Sequence, residues 1–363
     1  MKSVAFIVTT LNSGGLENYL LRFLKYSENN LKPLVICKGG EFGDLEHRYY
    51  NIKDISLVKM EIGYINIISL VQLYAVLRKY EVDVVCDFTG NFAGLPLLIS
   101  KFAGIKSRIA FYRGATNHFK EDKFRLLYNN LVKALVKKYA TTILSNSLAA
   151  FNFFFPHKIV ADKRFHLIPN GIDSDDFCKE SSNLRGELSI PNSAFVIGHV
   201  GRYNSAKNHN TIIQVAIALC VSNPDFYFVL CGKGVDENLK EVISRAKLTD
   251  RIRLLGYRSD VSRVLNTLDV FYFPSVTEGQ PNALIEAMVK GLPFVASNIG
   301  PILETVPENL HNQLVAPNDV DSAVSKLIAL YHSHNRHKYT CAEWAKEKYS
   351  ADSCFSLFME KLN

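Results

Sequence analysis

The residues best suited to chemistry lie at four points in this 363-residue chain where an apolar run gives way to glycine and charge. The richest is 270–295, reading VFYFPSVTEGQPNALIEAMVKGLPFV. Glu278 falls in a loop there, and Glu286 lies eight residues on, about two turns up a helix that Pro281 opens. The free amides of a helix N-terminus suit a phosphate. Two carboxylates flanking it suit a ligand that carries sugar hydroxyls as well. Taken alone, the unit fits an ordinary βαβ crossover with solvated glutamates better. The second point, 201–209, places Arg202 and Lys207 five residues apart on a loop, where a guanidinium fork and an ammonium could converge on a diphosphate. The third, Gly232-Lys233-Gly234, could bring backbone close to a ligand, and the fourth is Gly256-Tyr257-Arg258-Ser259-Asp260. Each is weak by itself. Their weight lies in recurrence at successive strand ends.

Positioning these loops requires strands and helices in alternation. Apolar strand-like runs fall at 4–10, 34–37, 82–87, 109–112, 141–144 and 165–168, with helical spacing at 16–26, 65–80, 93–102 and 123–139. The second half repeats the scheme, with strands at 195–200, 226–231, 252–255, 270–273 and 294–296. Such alternation predicts parallel sheets covered on both faces. The Asn170-Gly171 turn and the polar stretch after it divide the chain into two Rossmann-like, doubly wound α/β domains, 1–170 and 171–345. A C-terminal helix at 346–363 is expected to pack back toward the first domain. Two such halves imply a cleft between them, with ligands beyond the strand C-termini.

Composition excludes several classes. A chain that is 48% hydrophobic and 21% charged can build a full core and is not disordered. No stretch approaches the roughly 20 apolar residues of a membrane span; the longest candidate, 65–77, is interrupted by Ser69 and Gln72 and reads as a buried helix. The apolar run after Met1 ends at Thr9-Thr10 without a small-residue cleavage site and reads as a first core strand. Seven scattered cysteines without a C-x-x-C pair suggest a reduced, cytoplasmic setting. Residues 1–170 carry 23 Lys/Arg against 13 Asp/Glu, and the remainder 19 against 22, so the net +7 hides a basic first half. Its segment 123–139, KFRLLYNNLVKALVKKY, puts Phe124, Leu127, Leu131, Leu135 and Tyr139 near one face among lysines, a pattern that fits an anionic membrane surface. Phe151, Phe153, Phe154 and Phe155 fit a second anchor or, more simply, core.

The Gly201-Arg202…Lys207 loop, Gly232-x-Gly234, Gly256-x-Arg258-x-Asp260 and Glu278-x7-Glu286 together resemble glycosyltransferase family four, the retaining nucleotide-sugar enzymes of the GT-B fold, in their bacterial surface-polysaccharide branch. The resemblance spans the second half of the chain. In the first half it touches Gly14-Gly15-x-Glu17 and the stretch 168–173. It implies Arg202 and Lys207 on the donor diphosphate, Glu278 on the transferred sugar and Gly279 and Gln280 lining its pocket. The amides of Asn282, Ala283 and Leu284 would cap phosphate, Glu286 would bind ribose hydroxyls, and the backbone near Arg258 would meet the base. Gly14 and Gly15 would approach the phosphates from the first domain. Many relatives carry a histidine after the strand matching 109–112, where this chain reads Phe111-Tyr112-Arg113-Gly114-Ala115-Thr116-Asn117-His118; His118 or Arg113 would take that place, or neither.

The resemblance implies no metal and no cofactor beyond the nucleotide sugar, with positive side chains and helix amides replacing a metal. It favours a UDP-sugar over a GDP-sugar. It implies hexosyl or N-acetylhexosaminyl transfer to a glycan, in lipid-linked form, during O-antigen, capsule or exopolysaccharide synthesis. The setting would be the inner face of the cell membrane. Retention through front-side attack is the implied mechanism, and Glu278 as covalent nucleophile the competing one. The alternative function is a sugar-nucleotide epimerase of the same fold, which uses no acceptor. A dinucleotide-dependent oxidoreductase fits less well, because Gly14-Gly15 lacks the G-x-G-x-x-G spacing and Cys37-Lys38 stands where an acid would end the second strand. No stacking or helix-turn-helix signature supports a nucleic-acid partner.

Overall fold

The computed structural model of the chain describes residues 1–63, 66–116, 122–156 and 162–363. They form two α/β units, Met1–Gly171 with Ala351–Asn363, and Ile172–Ser350. The chain thus leaves the first unit at Gly171 and re-enters it after Ser350.

The first unit is built on seven strands, β1 (Lys2–Val8), β2 (Leu31–Cys37), β3 (Ser56–Lys59), β4 (Val84–Asp87), β5 (Ser107–Tyr112), β6 (Thr142–Ser145) and β7 (Phe165–Leu167). All are parallel, in the order β3-β2-β1-β4-β5-β6-β7. β1 lies inside the sheet, so both its faces are covered and it reads as a continuous apolar run. Val4, Phe6 and Val8 enter one core, shared with Tyr19 and Phe23 of the helix Gly15–Tyr26 and with Phe355 and Phe358 of the helix Ala351–Leu362. Ala5 and Ile7 enter the opposite core with Leu73, Leu97 and Val136. Those three come from the helices Ile67–Lys79, Gly94–Phe102 and Lys123–Tyr139, which pack side by side.

One of these helices differs from its sequence expectation, and a second turns outward the face that the sequence marked as apolar. The run 65–77 reads as a buried helix, but that helix turns only Ser69, Leu73 and Leu77 inward. Ile67, Ile68 and Val71 are 72%, 70% and 62% exposed, and Tyr74 is also exposed. In Lys123–Tyr139 the inward stripe is Tyr128, Asn129, Val132 and Val136, while Phe124, Leu127 and Leu131 face outward. Apolar composition shows that a helix has greasy residues, but the sheet accepts only one stripe of them. Phe151, Phe154 and Phe155 are buried, and Phe153 is exposed.

The second unit carries β8 (Phe195–Val200), β9 (Phe226–Cys231), β10 (Ile252–Leu254), β11 (Val270–Phe273), β12 (Phe294–Ser297) and β13 (Leu314–Val315). These are also parallel, ordered β10-β9-β8-β11-β12-β13. The chain runs outward from β8 through β9 to β10, then crosses back to start β11 on the other side of β8. The strand order reverses between β8 and β11, and in open parallel sheets ligands bind at the strand C-termini at that point.

Candidate functional site

The loops that follow β8 and β11 are the ones that carry Arg202, Lys207 and Glu278. They are pinned to each other by backbone: Val276 donates its N–H to the carbonyl of Ala206 at 2.9 Å. Asn208 adds a second pin. Held in the left-handed region at φ 56°, its side-chain amide donates to the carbonyls of Pro274 and Pro317 and to Asn318 Oδ1, at 3.2, 2.9 and 3.0 Å. Asparagine tolerates that conformation better than most residues. Upstream, the Asn204 side chain accepts from the Lys207 N–H at 3.1 Å and shapes the turn that presents the lysine.

These pins bring two predicted residues together. Lys207 Nζ lies 2.5 Å from Glu278 Oε1, with the two side chains only 20% and 11% exposed. The ammonium also sits 4.8 Å from the centre of the Phe273 ring, at the end of β11. Glycine is required behind the lysine. A Cβ on Gly201 would stand 2.7 Å from His199 Nε2 and 3.3 Å from the Lys207 side chain. Gly232, at φ 155°, is packed so that a Cβ would fall 2.0 Å from the Gly201 carbonyl oxygen, and its own N–H donates to Gly256 at 2.7 Å. With the Ala206–Val276 bond, all four loops therefore meet through backbone.

The helix Asn282–Val289 starts directly after the Glu278 loop with Pro281 at its N-cap and no side-chain cap. Leu284 is fully buried in the core, so it can offer a ligand only its amide, whereas Asn282 and Ala283 are partly exposed. Glu286 is 7% exposed, two turns up the same helix. Gly279 is buried and Gln280 partly exposed beside it. Arg202 is exposed at the rim, and among the described residues it takes part in no ion pair. Arg258 is committed: its guanidinium makes a two-pronged contact to Asp260, at 2.7 and 2.6 Å, in a network with Glu187 and Arg263. The hydrogen bonds from Arg258 hold the Asp260 carboxyl below its usual range.

In the first unit, Gly14 is extended and precedes the helix Gly15–Tyr26, which begins without a side-chain cap; Asn18 donates to the Gly14 carbonyl at 2.8 Å. His118 lies outside the described residues. Arg113 follows β5 with its guanidinium 3.7 Å from the Tyr19 ring centre, and burial lowers its pKa to about 10, so it remains a cation at neutral pH. Among the described residues no group of three or more His, Cys, Asp or Glu gathers to hold a metal.

Sequence reasoning passed over a buried pair beneath Lys207. His199 is fully buried and its Nδ1 donates to the Tyr272 carbonyl at 3.0 Å, which leaves Nε2 as the unprotonated nitrogen. His209 meets it edge-on with ring centres 5.3 Å apart. Burial holds both imidazoles well below the ordinary histidine value, to about 4 for His209, with the nearby Lys207 charge adding to the effect. Both therefore stay neutral where Lys207 must be charged. The signal available in the sequence was polar residues, Asn204, Asn208 and His209, clustered around the lysine at a strand end.

Residues 180–348 match the model of the family Glycosyl transferases group 1, and residues 13–176 that of Glycosyltransferase Family 4. The chain is 28% identical over 284 residues to the UDP-Gal:alpha-D-GlcNAc-diphosphoundecaprenol alpha-1,3-galactosyltransferase of Escherichia coli, covering 76% of this chain and 72% of that one. It is 26% identical over 307 residues to the capsular polysaccharide biosynthesis glycosyltransferase CapH of Staphylococcus aureus, covering 82% of each. Its fold superposes on that of HepE from Anabaena, solved in complex with UDP and glucose, with a TM-score of 0.81 at 19% identity over 100% of this chain and 99% of that one.

Proposed function

The chain belongs to glycosyltransferase family 4, with the GT-B fold, and from that membership we propose that it moves a sugar from UDP to a lipid-linked glycan, with retention, during bacterial surface-polysaccharide assembly. The observation that carries this reading is the pairing of Lys207 with Glu278 at the strand reversal, beside the uncapped helix that bears Glu286. A cation, a carboxylate and a row of helix amides within one pinned pair of loops match a diphosphate joined to a sugar. The Escherichia coli galactosyltransferase uses a UDP-sugar and a diphosphoundecaprenol acceptor, which supports the choice of nucleotide and acceptor class.

In this reading the diphosphate rests on the amides of Asn282, Ala283 and Leu284, with Lys207 and Arg202 taking the charge that builds as the sugar departs. Glu286 accepts hydrogen bonds from the ribose hydroxyls, and Glu278 from those of the transferred sugar. The acceptor hydroxyl oxygen attacks the anomeric carbon on the face the diphosphate leaves. Its bond to carbon forms as the carbon–phosphate oxygen bond breaks, and its proton passes to a phosphate oxygen of the departing UDP. Held in place by fixed loops, the reactants need no protein nucleophile.

We place the reaction at an anionic membrane surface. The three helices on one side of the first sheet, Ile67–Lys79, Gly94–Phe102 and Lys123–Tyr139, contain no Asp or Glu. They do contain cations, among them Lys101, Lys133, Lys137 and Lys138, and the exposed side chains Ile67, Ile68, Val71, Phe102, Phe124, Leu127 and Leu131. Acid-free helices with outward apolar residues match the interface of an anionic bilayer.

The test is a panel of UDP- and GDP-sugars incubated with and without a polyprenyl-diphosphate-linked acceptor. Release of UDP that depends on the acceptor, with an anomeric configuration in the product equal to that of the donor, is expected. Lys207→Ala and Glu286→Ala should each weaken UDP binding at least tenfold. Conversion of the donor to another nucleotide sugar without acceptor would overturn the reading in favour of an epimerase.

A further inference from the structure

We propose that Glu278 holds Lys207 back from spent nucleotide, so that the site favours a nucleotide still carrying its sugar. This deepens the donor reading and rests on Lys207 being the diphosphate's cation.

The pinned loops fix the pair. The Val276–Ala206 and Asn208–Pro274 bonds tie the two loops together and hold Lys207 and Glu278 opposite each other. The ammonium spends its charge on Glu278 Oε1 at 2.5 Å. Phe273 covers one side of it, and the buried and neutral pair His199 and His209 offers no competing charge beneath. Any diphosphate that recruits Lys207 must therefore take it from Glu278.

What happens to the carboxylate then depends on the ligand. When a sugar is attached, its hydroxyls donate to Glu278 and replace the bond lost to lysine. When the sugar is gone, the freed carboxylate is left with no donor in the lysine's place, in a pocket where it is mostly hidden from water. Glu278 thus opposes bare UDP and supports UDP-sugar, and recapture of Lys207 helps the product leave. Its effect on the two ligands has opposite sign, which a residue that only touches sugar would not show.

Titration calorimetry with UDP on the full chain tests this. Glu278→Gln, with Glu278→Ala as a second variant, should bind UDP roughly three- to tenfold more tightly than the unmodified protein, the range expected for release of one partly buried ion pair. In a Lys207→Met background the same substitutions should change UDP affinity less than about twofold, because the released partner is gone. Tightening that persists in that background would mean simple repulsion between Glu278 and phosphate, and would overturn the exchange. Unchanged or weaker UDP binding by both Glu278 variants would overturn it as well. If Lys207→Met alone leaves UDP affinity unchanged, the donor reading itself fails, an outcome distinct from the other two.

Discussion

His209 sits between the turn that presents Lys207 and the fully buried ring of His199. In an unfolded chain a histidine takes up a proton as the pH falls below about 6.5, whereas this one resists until about 4. Between those values the unfolded state binds more protons, so stability falls as the pH drops, by up to about 3 kcal/mol for this residue alone. Above about pH 6.5 the residue contributes no such slope. Melting of the second unit should therefore shift downward as the pH falls from about 6.5 to about 4. His209→Phe, which keeps the aromatic contacts, should flatten the shift. A slope unchanged in that variant would remove His209 as its source. At the same scale, the types and order of Arg202, Lys207, Glu278 and Glu286 were legible in the sequence, because the first three follow strand ends and Glu286 lies on the helix after the last of them. That Lys207 and Glu278 touch was not, since they stand 71 positions apart and the Ala206–Val276 and Asn208–Pro274 bonds close the gap. Nor could the sequence show that Arg258 is spent on its near neighbour Asp260.

The helices and strands that hold these residues were legible where burial forces a pattern. Interior parallel strands such as β1 and β8 are covered on both faces; β1 reads as an unbroken apolar run from Val4 to Val8, and β8 as one interrupted only by Gly198 and His199. The edge strand β3, Ser56–Lys59, is only partly buried, and β13 is two residues long, so neither produces such a run. Direction was the harder property. The run 65–77 reads as a buried helix, yet Ile67 and Ile68 point away from the sheet, as do the two exposed leucines of Lys123–Tyr139, Leu127 and Leu131. Because they are 70% and 50% exposed, replacing both with glutamate should leave the melting temperature of the first unit within about a degree, as surface changes away from special features do. The same double substitution should abolish flotation with phosphatidylglycerol-containing vesicles. Unaltered flotation would remove this helix from the membrane contact.

For the molecule as a whole, each unit has cores made only of its own residues. Phe358 puts that independence within reach of a single substitution. Its ring lies 4.5 Å from that of Phe23 and 5.5 Å from that of Phe111, and it also meets Tyr19 and Phe88. Phe358→Ala should cost the first unit about 3–5 kcal/mol, lowering its melting transition, while UDP affinity in the second unit stays unchanged. Loss of UDP binding in that variant would show that the two cores are not independent.

The return of the chain to its first sheet also bears on synthesis. Phe355, Phe358 and Leu362 complete a core that opens with Val4 and Phe6, yet they leave the ribosome only after all of Ile172–Ser350 has emerged. The first unit is therefore completed only after the second has been made. During translation of the second unit, Phe6, Tyr19, Phe23, Phe88 and Phe111 lack the helix that covers them, and a nascent chain in that interval presents an aromatic surface for chaperones to hold.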